Sequence, residues 1–333
     1  MIRIYIPGFV ADDFSKNETR LGDCTVIDDG INFDVIDGYC GKGTTHLISY
    51  LKTRNIKTPY LHISHPHWDH YDGIRKIIND NYFKPKALYC YDSSFLSDVS
   101  ADVKNEKAVL RSIISEAKTR GIPVIYLKNG DKITHGEIHI NVFLEKPKWT
   151  GNSDAYINDG SLCYWFPDLL YFTTGDGPDD IAKTCEREKI KPVLIKIPHH
   201  GNACPRTPAT WLKNHGCIYC WDNDYSTKIT DFLQTGREDC IAVKMKYFSC
   251  HGDINMIACN GTMYIYKDDS YYAYKVPYKG KSTLKSADLG IVKAVLKGNL
   301  GAGNDRITNL LNKGYYPSGV QRQVNEIIKL VKG

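Results

Sequence analysis

The stretch SHPHWDH, Ser64 to His70, places His65, His67, Asp69 and His70 within six consecutive positions. Imidazole nitrogens and carboxylate oxygens are the donors that a borderline cation such as zinc takes. The stretch follows the apolar run YLHIS, which reads as a buried strand. On extended backbone residues i and i+2 face one way, so His65 and His67 can share one ion while Asp69 and His70 turn toward a second. A lone histidine is ordinarily structural, and His46, His62, His135, His139, His215 and His251 read as such surface or core residues. Four ligand-type residues in six positions do not.

A metal site needs further ligands from elsewhere in the chain, and two segments offer them. LLYFTTGD places Asp176 just beyond an apolar strand, and PVLIKIPHHG places His199 and His200 likewise. Either alone is weak, because Gly-Asp turns are common. Together they make a coherent site, since each follows a hydrophobic strand as the first cluster does.

The elements that must carry these residues alternate in type. From residue 25 to about 276, short apolar runs interleave with helical stretches: TVIDDGINFDVID, a helix over Thr45 to Thr53, YLHIS, ALYCY, and a helix over Lys104 to Lys118. That helix has Val109, Leu110, Ile113, Ile114 and Ala117 on one face. PVIYL and EIHINVFLE follow, then SLCYWF, LLYFTTGD, PVLIKIPHH, CIYCW and CIAVKMKYF. INMIACNGTMYIYKD carries an Asn260-Gly261 hairpin turn. The pattern predicts a β-rich mixed α/β layer fold. The polar, Lys-rich stretch Val276 to Ala287 reads as a linker, and Asp288 to Lys332 as a small all-α unit of three helices.

Composition narrows the classes. No apolar run reaches the roughly 20 residues of a membrane span. The opening MIRIYIPGFVADDFSKNE turns polar too early for a secretory signal, so the expectation is a cytoplasmic protein with no membrane span. Net charge is +5, but Lys281 to Gly333 carries nine basic against three acidic residues, which leaves the rest slightly acidic. The basic excess belongs to the tail, where it reads as a solvated face or a polymer contact. Eleven irregularly spaced cysteines fit a reducing compartment. Cys217 and Cys220 form a CxxC, but on a strand they point to opposite faces and read as buried thiols.

The motif HxHxDH, standing as His65, His67, Asp69 and His70, resembles that of the metallo-β-lactamase superfamily, and the resemblance covers about Met1 to Tyr278. It implies an αββα sandwich with two divalent metal ions at one edge of the sheets. Asp37 in FDVIDG matches the family's early aspartate, Asp176 its bridging aspartate, and His200 or His199 its last histidine. Asn158 to Leu162, TTGD and IPHHGN look most like the hydrolase domain of the DNA-uptake competence proteins. That branch replaces a metal-binding histidine of the third motif by an Asn-containing segment, and here Asn158 and Asp159 occupy the place. The second site keeps Asp69, His70, Asp176 and His200, whereas the first keeps His65, His67 and the shared Asp176. Unequal affinity is expected, with zinc as the main ion and manganese tolerated where oxygen donors dominate.

The mechanism implied is hydrolysis by hydroxide formed when metal coordination lowers a water's pKa from ~16 toward roughly 7. Asp69 orients that hydroxide. Related phosphodiesterases cast the first histidine of a His-His pair, here His199, as a phosphate contact and the second, His200, as ligand. Asp37 is placed to orient a ligand histidine. The expected substrate is a phosphodiester in nucleic acid or a nucleotide.

Val295, Gly298, GAGNDR (Gly301 to Arg306), GYYPSGVQ (Gly314 to Gln321) and VNEII (Val324 to Ile328) resemble the cell-wall-binding repeat of phage lysozymes. This implies a three-helix module that binds peptidoglycan fragments, with Arg306 and the glycine turn as contacts, and release by lysis if the protein is phage-derived. A wall-linked phosphodiester is then the alternative substrate, and a binding protein with a vestigial metal site the non-enzymatic one. The expected domains are 1–278, a linker 279–287 and 288–333.

Overall fold

Short strands buried at every position are the signature of sheets covered on both faces. β2 (Thr25–Asp28), β5 (Ala87–Cys90), β9 (Cys163–Phe166) and β10 (Tyr171–Thr173) are all of this kind. The computed structural model describes residues 3–6, 22–177, 180–192, 194–196, 198–199, 218–220, 254–259, 262–267, 270–277, 289–313, 315, 320–321, 324–325 and 328. His200, Cys217 and most of the expected linker lie outside them.

The remaining strands are β1 (Arg3–Ile6), β3 (Phe33–Ile36), β4 (Tyr60–His62), β6 (Val124–Tyr126), β7 (Lys132–His135), β8 (Ile138–Phe143), β11 (Leu194–Lys196), β12 (Ile218–Cys220), β13 (Ile254–Cys259), β14 (Thr262–Lys267) and β15 (Ser270–Pro277). They form one sheet of order β15-β14-β13-β1-β2-β3-β4-β5-β6 and a second of order β12-β11-β10-β9-β8-β7. Each contains a parallel stretch, β3 to β6 in the first and β10 to β12 in the second. The sheets face each other: Thr25 Oγ1 lies 3.1 Å from Tyr171 Oη, and the His62 ring meets Tyr164 edge-on at 5.3 Å. Mixed sheets with flanking helices are the architecture expected from the sequence.

Among the described residues five helices accompany this sandwich: α1 (Gly41–Thr53), α2 (Trp68–Asn79), α3 (Ala101–Thr119), α4 (Ser153–Asp159) and α5 (Ile181–Glu188). Ser100 caps α3 by accepting from the Val103 N–H, and Val103, Leu110, Ile113, Ile114 and Ala117 form its buried stripe. Val109, expected on that stripe, packs only at its margin. Helix α2 lies directly on the turn after β3, because a Cβ on Gly73 would stand 1.8 Å from the Gly38 carbonyl oxygen. Only glycine permits that approach.

Three readings of the sequence are refined. TVIDDGINFDVID, read as one apolar run, is a hairpin, since Asp29 Oδ1 accepts from the Ile31 and Asn32 N–H groups and turns the chain between β2 and β3. Helix α4 escapes a periodicity reading because it is seven residues long; its start is set by Asn152, whose side chain accepts from the Ala155 N–H. Strand β15 runs to Pro277, into the stretch read as linker. β13 and β14 pair antiparallel with Cys259 opposite Thr262, while Asn260 and Gly261, read as the turn between them, lie outside the described residues. Cys24, Cys40, Cys90, Cys163 and Cys185 are buried.

After residue 288 come α6 (Leu289–Leu296) and α7 (Gly303–Asn312), with helical backbone again at Val320 and Val324. Ile291, Val292, Val295, Leu300, Leu310, Val320 and Val324 form a core of their own. Arg306 donates from Nε to the Gly301 carbonyl (3.1 Å) and from Nη1 to Gln321 Oε1 (3.1 Å), so it braces this unit internally. Among the described residues no helix is long and apolar enough to cross a membrane.

Candidate metal centre

In sheets with parallel strands, ligands gather beyond the strands' carboxyl ends. Four such ends converge here. Asp37 follows β3, His65 and His67 follow β4, Asp176 follows β10, and His199 follows β11. Asp69 and His70 occupy the first turn of α2, which starts at Trp68.

Asp176 is the hub. Its Oδ1 lies 3.0 Å from His70 Nε2, and its Oδ2 lies 3.8 Å from both His65 Nε2 and His199 Nε2. His65, His70 and Asp176 are buried and bring one donor atom each to within 4.8 Å of the others. His67 adds a ring nitrogen 3.0 Å from His65 Nε2. The Asp69 carboxylate stands 4.0 Å from His70 Nε2 with 21% of its side chain exposed. Two imidazoles and a carboxylate so placed match the donor set of zinc, so the residues present fit the group the sequence calls for.

Behind these donors lies a layer that fixes them. Asp37, at φ 58°, turns its carboxylate inward. Its Oδ2 lies 2.9 Å from His70 Nδ1 and accepts from the Ser64 hydroxyl at 2.7 Å, while its Oδ1 accepts from the Ser64 N–H at 2.8 Å. Ser64 Oγ also lies 3.0 Å from His65 Nδ1. The inner nitrogens of both rings are therefore held, and the outer ones point at Asp176. Gly175 completes the fit at φ 57°, where a Cβ would meet Ser64 Oγ at 2.6 Å. Ser64 and Gly175 were missed by the sequence reading, although both adjoin residues it singled out.

Burial opposes charge on His70, but the carboxylates of Asp176 and Asp37 outweigh it and hold its pKa well above the usual value. Burial instead depresses that of His67. Replacing Asp37 by asparagine keeps the shape and removes the charge that fixes His70. Loss of such an orienting partner typically weakens metal binding by about 10- to 100-fold, and zinc titration of the chelator-treated Asp37→Asn chain against the parent should read that drop.

The segment expected in place of a third histidine does lie beside the hub. A Cβ on Gly177, next to Asp176, would meet the Asn158 carbonyl oxygen at 2.2 Å and the Asp159 Cα at 3.2 Å. Asn158 is 7% exposed, and its Oδ1 has no hydrogen-bond partner among the described residues. A buried amide oxygen left in that state is costly unless something supplies the missing contact.

Burial, with the charges of Asp154, Asp69 and Asp102, pushes the Glu106 carboxyl up to about 7. A raised carboxyl pKa adds stability below the unfolded value near ~4.5 and loses it as pH rises through the folded value. The metal-free Glu106→Gln chain should thus melt about 2–4 °C above the parent at pH 8, after discounting roughly half the effect for solvent screening, and level with it at about pH 4. Thermal denaturation at the two pH values checks this.

Residues 290–328 match the CW_7 repeat family. A search of curated proteins finds no match. Among solved structures the chain is similar to the metallo-beta-lactamase fold protein YhfI from Bacillus subtilis, at 13% identity over 66% of this chain and 85% of that one, TM-score 0.40. It is also similar to the metallo hydrolase Igni18 from Ignicoccus hospitalis, at 11% identity over 66% and 81%, TM-score 0.40.

Proposed function

We propose that this chain is a metal-dependent hydrolase of the metallo-β-lactamase superfamily that acts on a phosphodiester. The observation that supports this most is the reach of one buried carboxylate, Asp176, to His65, His70 and His199 at the ends of two facing sheets. In this reading His65, His67, Asp69, His70 and Asp176 hold the ions, with His200 as a further ligand and Asn158 or Asp159 completing the first site. A divalent ion there supplies a Lewis acid and brings the pKa of water toward neutrality.

The chain's own groups do the rest. Asp37 and Ser64 hold the rings of His70 and His65. Asp69, the most exposed carboxylate of the set, orients the attacking water. His199 has 36% of its side chain exposed, whereas His65 and His70 are fully buried. That exposure suits a group that reaches the phosphoryl oxygens and stabilises their developing charge.

Full-length protein with zinc or manganese should cleave bis(4-nitrophenyl) phosphate or a DNA or RNA strand, and Asp69→Ala should abolish cleavage. Failure on all three substrates removes the phosphodiesterase reading. The CW_7 match favours a second one, in which the unit after residue 288 carries the enzyme to a wall-linked phosphodiester. Purified cell walls should then retain the full chain and not a chain ending at residue 287, and equal retention ends that reading.

A further inference from the structure

A second cluster of metal-ligating side chains lies between the sheets, made of residues that the centre above does not use. Asp34 on β3 and His62 on β4 come from one sheet, and His135 at the end of β7 comes from the other. Asp34 Oδ1 stands 2.8 Å from His62 Nε2 and 2.8 Å from His135 Nδ1. Asp34 and His62 are fully buried, and His135 is 6% exposed.

We propose that Asp34, His62 and His135 form a structural metal site, taking a zinc-class divalent cation that ties the two sheets together. Three observations carry it. First, donors from three strands and both sheets converge within 4.8 Å, and the set of two imidazoles and a carboxylate suits zinc.

Second, the cluster is incomplete as a hydrogen-bonded network. Burial opposes the Asp34 charge, and the hydrogen bonds and charges of the two imidazoles lower its pKa against that burial. A fully buried carboxylate is among the costliest groups a core can hold unless it is well paired. Both rings also aim at the same oxygen, leaving Oδ2 buried with no hydrogen-bond partner among the described residues. An ion would use both oxygens of Asp34 with His62 Nε2 and His135 Nδ1, four donors in all. His62 Nδ1 has no hydrogen-bond partner among the described residues, and since an ion would take Nε2 it does not separate the two states.

Third, the rings are held as ligand rings are held. His135 Nε2 lies 2.9 Å from Tyr89 Oη, a contact to the nitrogen an ion would leave. Tyr60 stacks on His135 at 3.4 Å and 3°, Tyr89 stacks on His62 at 4.7 Å and 13°, and Tyr164 meets His62 edge-on. Such packing fixes side-chain direction before any ion arrives.

The test uses the full chain, refolded or expressed with zinc and crystallised, with diffraction recorded above and below the zinc absorption edge. An anomalous peak bounded by Asp34, His62 and His135, separate from any signal at His65, His70 and Asp176, is the expected result. No peak there overturns the proposal, whatever the other cluster holds. The isosteric Asp34→Asn chain should lose that peak and one equivalent of zinc per chain while keeping the zinc at Asp176, and retention of the peak also overturns it. If Asp34→Asn does not fold, diffraction from the unsubstituted chain decides.

Discussion

Asp176→Asn should bind zinc at the cluster of His65, His70 and Asp176 at least about 100-fold more weakly than the parent while keeping its fold. The aspartate reaches three imidazoles from one buried position, so no other residue of the cluster can replace it. Asparagine is nearly isosteric, so packing is retained, but its neutral amide cannot balance a divalent ion. The expected loss exceeds the 10- to 100-fold typical of residues behind the ligands, because a ligand itself is removed. Hundredfold weaker binding withdraws about 2.7 kcal/mol of zinc-dependent stabilisation at saturating metal, which at about 2–4 °C per kcal/mol is roughly 5–10 °C of the zinc-induced rise in melting temperature. With chelator the two chains should melt close together. An unchanged zinc-induced shift would remove Asp176 from the site.

The second large effect concerns Lys196. This residue is fully buried at the end of β11 and pairs with Asp23, which is 2% exposed. Asp23 accepts the Tyr39 N–H through its carbonyl and donates its own N–H to the Asp69 carbonyl, so it ties the turn after β3 to the start of α2. Removing one partner of a buried pair leaves the other charge uncompensated and costs about 3–5 kcal/mol. Lys196→Met should therefore lower the melting temperature by roughly 10 °C. Adding Asp23→Asn should restore much of that loss, because the stranded charge goes with it. Equal stability of parent and Lys196→Met, read by thermal denaturation, would show that the pair is not what holds this junction.

The legible and illegible parts of the molecule divide along physical lines. The residues His65 to His70 could be read because donors crowd a short stretch after an apolar strand, and Asp176 and His199 because each also follows a strand. Strand ends are where a parallel sheet exposes its loops, so position and residue type reinforced each other. Asp34, His62 and His135 could not be read that way. They are separated by 28 and 73 positions, each lies inside or at the end of a strand, and each alone looks like a core residue. Only register and sheet packing join them. Lys196 was hidden by the opposite effect, since a lysine within PVLIKIP reads as an interruption of an apolar run until its partner, 173 positions away, is placed beside it. Helix α4 was hidden by its length.

That metal held by the cluster around Asp176 drives hydrolysis is tested most directly by one titration. Zinc is added stepwise to chelator-treated full-length protein while turnover of bis(4-nitrophenyl) phosphate is followed. Turnover should be absent without metal, rise with added zinc to a plateau, and vanish again on chelation. Turnover that is the same at every zinc loading, or absent at all of them, would show that metal at this cluster does not drive hydrolysis.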